Sequence, residues 1–325
     1  MNDADVVVVG AGLTGLAAAR ALESRSRYVT VLDKGRSVGG RLATRRLEGA
    51  RLDHGAQFFT QRGPAMESLV EELLDEEVAI EWCRGFGSED GHPRYRILGG
   101  MNGLAKYLAE PLEDVRCGVQ VTEVAREDRG WVVRWDGGEL RGGAVLLTAP
   151  VPQSLALLDA GGVRLDAGVR PGLDAVAYDA AIAVMAVLDG PSAVPEPGGA
   201  QLTDGPFTWV ADNSMKGISD LPAVTLHTDH ATAMALFDED EDVALAELLA
   251  LGAEWFGGAE VVDAQLKKWR YATPRTTWDQ PICVAVDGDW PLVLAGDAFD
   301  GPKVEGAYCS GLAAAERLRH SGVDA

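Results

Sequence analysis

The chain opens on an unbroken apolar run, VVVV at residues 6–9, followed by GAGLTG and then by LAAARAL. A short apolar run without polar alternation suits a strand buried on both faces. The residues after it are helix formers to about Ser24, and residues 28–32 predict a second strand ending in Asp33. A similar plan recurs near the other end. There LVLA at 292–295 predicts a buried strand, Gly296-Asp297 a turn, 301–306 a glycine-studded loop and 307–320 a helix. Within that helix Ala307, Ser310, Gly311 and Ala314 recur at helical spacing, and their smallness lets another surface approach closely.

Between these ends the period changes. Alternating strands flank Asp128-Arg129-Gly130, and two turn glycines precede another apolar run at 144–147. Residues 175–188 and 223–228 predict further strands. Residues 66–78 and 240–256 predict helices, the second with Val243, Leu245, Leu248, Leu249 and Trp255 on an apolar face. Residues 191–199, rich in Pro and Gly, predict an exposed connection. The fold class expected is α/β: a Rossmann-like domain with a second, mixed-sheet α+β domain. The first would be discontinuous, from residues 1–60, 115–155 and 285–325, leaving 61–114 and 156–284 to the second.

The opening pattern is the dinucleotide fingerprint in its strand–turn–helix context. Gly10 permits the sharp turn, Gly12 lets a pyrophosphate approach the backbone, and Gly15 lets helix and strand pack closely. Asp33 stands 18 residues after Gly15, where its carboxylate can accept hydrogen bonds from a ribose. The Gly39-Gly40-Arg41 triplet resembles a pattern of two-dinucleotide-domain flavoproteins, a resemblance that implies FAD, and Arg41 is able to fork onto a phosphate. FAD is long, so the second strand–turn–helix would hold its other half. Asp297 would bond a ribityl hydroxyl, and the helix N-terminus would stabilise negative charge on the reduced ring.

Composition narrows the choice. Net charge is −21, which opposes nucleic acid and anionic membrane surfaces. An anionic cofactor is still allowed, because helix N-termini hold phosphate through backbone amides. The 4 cysteines form no CxxC pair, and neither a signal sequence nor an apolar run of membrane-spanning length is evident, so a reduced cytoplasmic setting is expected. Metal-ligand spacing is absent, and no metal is expected.

With GAGLTGLAAARAL, DKGRSVGGRLATRR, LDHGAQFFT, LGGMNGLAKYLA, KKWRYATP and LAGDAFDGPKVEGAYCSGLAAA in that order, the chain resembles the renalase-like branch of the flavin amine-oxidase superfamily. The resemblance spans most of the length. It implies a two-domain flavoprotein with non-covalent FAD. It also implies an oxidase that takes hydride from 2- and 6-dihydro isomers of NAD(P)H and passes electrons to O2, giving NAD(P)+ and H2O2. Two other readings stay open: a flavin amine oxidase or desaturase, and a binding protein on the same fold, as in Rab GDP-dissociation inhibitors.

The candidate cofactor contacts are Gly10, Gly12, Leu13, Thr14, Gly15, Asp33, Lys34, Gly40, Arg41, His54, Gly55, Ala56, Gln57, Phe58, Val121, Gly296, Asp297, Val304, Glu305, Gly306 and Ala307. In DHGAQFFT, Gly55 and Ala56 are small enough to lie against a ring, and Gln57 can donate and accept. A buried hydrogen-bonded turn is the alternative, with Asp53 and His54 serving structure. Gln57, His227, Trp269 and Tyr271 are the candidate catalytic residues. His227 ends a predicted strand, and the resemblance aligns it with a histidine near the flavin. Trp269, Tyr271 and Trp278 would wall a pocket, and Arg270 or Arg275 would meet a substrate phosphate. The alternative is a strand with aromatics in the core and cations in solvent. Amine oxidases of this superfamily often keep a lysine bonded through water to flavin N5, for which Lys267, Lys268 and Lys303 are candidates. Tyr308 and Cys309 lie near the loop where some relatives attach flavin, but no covalent bond is expected here.

Overall fold

The computed structural model describes residues 3–87 and 91–319. The apolar opening run forms β1 (Ala4–Val9), followed by α1 (Leu13–Glu23) and β2 (Val29–Asp33). A hairpin of β3 (Thr44–Leu47) and β4 (Ala50–Asp53) precedes α2 (Pro64–Asp75), a second hairpin of β5 (Ala79–Cys83) and β6 (Arg94–Ile97), and α3 (Asn102–Ala109). Next come β7 (Val115–Cys117), β8 (Val121–Glu127), β9 (Gly130–Trp135), β10 (Gly138–Leu147), α4 (Val151–Ala160) and α5 (Arg170–Asp174). The chain continues through β11 (Tyr178–Leu188), β12 (Gly199–Gln201), β13 (Phe207–Asp212), β14 (Ala223–Thr228), α6 (His230–Leu236), α7 (Glu241–Leu251) and β15 (Val261–Pro274). It closes with β16 (Cys283–Val286), β17 (Leu292–Leu294) and α8 (Val304–Leu318).

These elements divide into two compact units. The first comprises Met1–Gly40, Ala105–Ala177 and Pro274–Ala325; the second comprises Arg41–Leu104 and Tyr178–Thr273. Residues 41–60, expected in the cofactor domain, fall in the second unit. The reason is packing: Leu47, Ala50 and Leu52 of the β3–β4 hairpin share a core with Met185, Val187 and Ala223.

The first unit is built on an eight-stranded sheet in the order β16-β17-β10-β1-β2-β7, with β9 paired to β10 and β8 to β9. β1 pairs in parallel with β10 and β2, and β10 pairs in parallel with β17. One strand therefore separates the two similar ends of the chain, as right-handed strand–helix–strand units allow. The small residues of α8 pack against α1. A Cβ on Gly311 would strike the Thr14 carbonyl, and Thr14 Oγ1 donates to the Ala307 carbonyl at 2.8 Å. Helix α8 begins at Val304, three residues ahead of its expected start, so Val304–Gly306 are helix and not loop. The last residue of the expected helix, His320, lies outside the described residues.

The second unit carries a five-stranded sheet in the order β12-β13-β14-β11-β15. Its two faces differ because strand residues alternate. Ile182, Val184, Ala186, Val224 and Leu226 face a core closed by α6 and α7, whereas Met185, Val187 and Ala223 face the hairpin. In α7 the buried residues are Ala244 and Leu248; Val243, expected on the apolar face, is 55% exposed. The connection at 191–199 is exposed in part only, because Val194 enters the α6–α7 core. Among the described residues no helix is long and apolar enough to cross a membrane.

Candidate functional site

In the first unit the candidate site is made of backbone. Gly10 has φ +116°, and a Cβ there would strike Thr148 Oγ1. A Cβ on Gly15 would strike the Gly10 carbonyl, which is the close helix–strand contact that the fingerprint requires. Gly12 is different: no atom lies within 4 Å of where its Cβ would be, and it caps α1 without any side-chain hydrogen bond. The amides of the first turn of α1, among them those of Leu13 and Thr14, therefore sit at an open, uncapped helix N-terminus suited to an anion. Asp33 is pinned by its own loop. Its Oδ2 accepts from Ala11 N–H at 2.7 Å and its Oδ1 from Gly35 N–H at 2.6 Å. Each carboxylate oxygen keeps lone-pair capacity for a ribose hydroxyl. Gly40, at φ +53°, lies beside Gly12, and Lys34 Nζ reaches Gln153 Oε1 at 3.4 Å. Val121 opens β8, just after Val119 N–H has bonded the Asp33 carbonyl at 2.9 Å.

The other end repeats the device. Gly296 has φ +151° with open space at its Cβ position, and its N–H donates to Ser310 Oγ at 2.9 Å. Asp297 follows at the end of β17. Lys303 caps α8 without a side-chain bond, and Val304, Glu305, Gly306 and Ala307 form the first turn. A Cβ on Gly306 would strike the Asp300 and Gly301 carbonyls. An open glycine, a carboxylate anchored beside it and two uncapped helix N-termini in one unit fit a dinucleotide cofactor. Trp278 also belongs to this unit, where its ring packs on Gly172.

In the second unit the candidate site is made of side chains. Lys216 is its centre, and the sequence analysis did not single it out. Asp212, at the end of β13, turns the chain by accepting from Ser214 N–H at 2.8 Å and Met215 N–H at 2.9 Å. Gly217 continues the turn at φ +75°. The turn directs Lys216 inward, where its side chain is 0% exposed and Nζ meets Asp53 Oδ2 at 2.7 Å. Asp53 Oδ1 accepts from Thr44 Oγ1 at 2.5 Å and from Met101 N–H at 2.8 Å. Asp53 N–H donates to Asn213 Oδ1 at 3.2 Å, and Asn213 Nδ2 donates to Thr225 Oγ1 at 3.0 Å, tying hairpin to sheet. Burial pushes the Lys216 ammonium down from its usual range, and Asp53 opposes that shift.

Gln57 joins this pair to the imidazoles. Its Oε1 accepts from Lys216 Nζ at 3.3 Å, and its Nε2 donates to the Asp53 carbonyl at 2.7 Å and the Gly55 carbonyl at 3.2 Å. The same Nε2 lies 3.4 Å from His227 Nε2. His227 projects from β14 on the hairpin side of the sheet, and burial lowers it to about 4, helped by His54 and Lys216. His54 stacks on Trp269 at 5.5 Å and is also held at about 4, by burial and then by Arg45 and Lys267. Its Nδ1 is buried and has no hydrogen-bond partner among the described residues. Beyond His227 lies an aromatic cluster of Phe58, Trp82, Phe86 and Trp209, with Trp209 directly opposite His227 in the strand register.

Several expected roles change in detail. Gly55 is small because the Arg41 carbonyl occupies its Cβ position, and Ala56 N–H donates to that carbonyl at 2.8 Å. Arg41 itself donates to the Tyr271 and Ala272 carbonyls at 3.3 and 3.1 Å. Trp269 Nε1 donates to the His54 carbonyl at 2.9 Å, and the Tyr271 ring meets Tyr178 edge-on at 5.4 Å. Arg270 stacks on Phe237 at 4.2 Å and pairs with Asp238. Of the expected lysines, Lys268 bonds the Phe237 and Glu239 carbonyls and Lys267 sits over the Trp269 ring. Neither is buried as Lys216 is.

Comparison with known proteins gives the family. Residues 8–73 match the model of an NAD(P)-binding Rossmann-like domain, and residues 76–319 match that of flavin containing amine oxidoreductases. Putrescine oxidase of Kocuria rosea is 45% identical over 69 residues, covering 21% of this chain and 14% of that protein. Protoporphyrinogen oxidase 2 of Arabidopsis thaliana is 44% identical over 68 residues, covering 21% and 13%. The matched segments thus span about a seventh of these curated relatives. The structure of putrescine oxidase bound to putrescine superposes with a TM-score of 0.72 at 18% identity, covering 96% of this chain and 98% of that one, a likeness of fold.

Proposed function

We propose that this chain, which belongs to the flavin-containing amine oxidoreductase family and is an FAD-dependent oxidoreductase, oxidises the 2- and 6-dihydro isomers of NAD(P)H, as its renalase-like sequence pattern implies. The reaction is dihydronicotinamide + H+ + O2 → NAD(P)+ + H2O2. Bound non-covalently, FAD supplies a two-electron acceptor that O2 can reoxidise. Gly12, the first turn of α1 and Asp33 would hold its adenosine half, and Gly296, Asp297 and the first turn of α8 its flavin half. Burial pushes the Cys309 thiol up, away from the thiolate that a covalent flavin link would use. A reduced, cytoplasmic setting accords with this chemistry.

The observation that carries this reading is the charge state of the second unit's cluster. Asp53 is buried, ion-paired with Lys216 and bonded by Thr44 and Met101, and burial holds both imidazoles near 4, neutral at physiological pH. The cluster therefore offers a substrate ammonium no unpaired carboxylate. It offers no strong base either, and none is required: a dihydropyridine gives hydride from carbon and leaves an aromatic cation. Orienting that carbon supplies much of the rate.

The buried Lys216 favours a second reading, amine oxidation, because it is a lysine of the kind that amine oxidases of this superfamily keep near the flavin. Turnover in air separates the two. The purified flavoprotein is given 2- and 6-dihydro-NAD(P) and, separately, a panel of primary and secondary amines, while H2O2 and NAD(P)+ are measured. One H2O2 per NAD(P)+ from the dihydronicotinamides supports the proposal. H2O2 from an amine, with none from the dihydronicotinamides, overturns it.

A further inference from the structure

We propose that the Asp53–Lys216–Gln57 network fixes His227 in its Nδ1–H tautomer and so presents a hydrogen-bond donor that selects substrates carrying an uncharged acceptor. The inference rests on the reading above for the identity of the substrate, but the tautomer itself follows from geometry. Gln57 Oε1 faces the Lys216 ammonium, which only donates, and Gln57 Nε2 faces the carbonyls of Asp53 and Gly55, which only accept. Turning the amide over would set like against like at all three contacts, so its orientation is determined. His227 Nε2 then faces an amino group at 3.4 Å. A ring N–H there would face an amide nitrogen that cannot accept it; a ring lone pair meets no such conflict. The neutral ring carries its proton on the other nitrogen, as second partners of histidine commonly dictate.

His227 Nδ1 has no hydrogen-bond partner among the described residues, and the side chain is half-buried. A second donor stands on the same side of the sheet. Trp209 pairs with His227 in register, so the two side chains share a face, and its Nε1 is buried without a partner at 8% residue exposure. Both groups are donors. A ligand that meets them must accept, as the carbonyl of a carboxamide does and as an ammonium cannot. Under the proposed function the ligand is the nicotinamide carboxamide, and His227 is a specificity-determining residue, with Gln57 and Lys216 as positioning residues.

The test begins without substrate. In 15N-histidine-labelled holoprotein, with 5 histidines in the chain, the His227 ring should show a protonated Nδ1 and an unprotonated Nε2 at neutral pH. Gln57→Leu should raise the Nε2–H population. A His227 ring protonated at Nε2, or at both nitrogens, overturns the proposal. The second arm uses the geometry of amides. His227→Asn places its amino group near the Nδ1 position and should keep KM for 6-dihydro-NAD within about threefold, whereas His227→Gln places it near Nε2 and should raise KM about tenfold. Equal impairment of both variants overturns the donor role. The two readings fail separately. An Nδ1–H signal in a protein that oxidises no dihydronicotinamide sinks the substrate assignment alone. Turnover by a protein whose His227 is protonated at Nε2 sinks the tautomer assignment alone.

Discussion

The two units build their candidate sites from opposite materials. In the first, Gly12 and Gly296 leave backbone open beside two helix N-termini, while Gly10, Gly15 and Gly306 let the chain pack closely on itself. In the second, the side chains of Asp53, Lys216, Gln57 and His227 link into one polar network, each held by the next. A backbone site depends on what is absent, so one added carbon can close it while the protein still folds. A side-chain network depends on charge balance, so removing one member leaves its partner buried and unpaired.

The largest effect expected from this contrast is at Lys216. Lys216→Met leaves the Asp53 carboxylate buried without its cation and should cost about 3–5 kcal/mol in urea unfolding. The double variant Asp53→Asn/Lys216→Met should be less damaging than the single one, because it removes the charge and keeps an acceptor for Thr44 and Met101. A double variant as unstable as the single would contradict the ion-pair account.

Acid comes next. His54 and His227 sit near 4 when folded, against an ordinary 6.5. Between these values the unfolded chain binds more protons, so stability rises with pH from about 4 to about 6.5 and is lost as pH falls through that window. The loss for the pair should be on the order of a few kcal/mol. Unfolding midpoints across this window, with and without His54→Phe, measure the His54 share.

The glycines sharpen the comparison. Gly12→Ala meets open space and should change apo stability by less than about 0.5 kcal/mol, yet it should lower FAD content by crowding the pyrophosphate. Gly15→Ala strikes the Gly10 carbonyl and should cost about 1–3 kcal/mol as well as flavin. Flavin-to-protein absorbance ratios and thermal unfolding of apo protein separate the two. Within the side-chain network the smallest effect is at Thr44, where Thr44→Val removes one hydroxyl from Asp53 and should cost about 1 kcal/mol.

The same contrast explains what could be read in the sequence. The first unit's site was legible because glycine spacing, an apolar run and a following acid are local signals. Strand 223–228 stands where its pattern puts it, and both terminal strand–turn–helix units are present, the second with its helix starting three residues early. The second unit's site was legible only in part. Gln57, His54, His227 and Trp269 do come together, but Lys216 lies in the turn DNSMKG, whose local pattern reads as an exposed bend. Its inward direction comes from the Asp212 cap and from Asp53, 163 residues away in sequence, and no periodicity encodes that. Val243 alone departs from the expected face: α7 buries Ala244 and Leu248 and packs Leu245 and Leu249 against the same core, with Val243 left exposed.

The central claim is that hydride from a misreduced nicotinamide enters FAD held by this chain. Anaerobic rapid mixing with 6-dihydro-NAD tests it most directly. The account predicts loss of the flavin's visible absorbance in a single phase, with one β-NAD+ formed per flavin reduced. Retention of that absorbance under the same conditions, with bleaching by an amine instead, would contradict it.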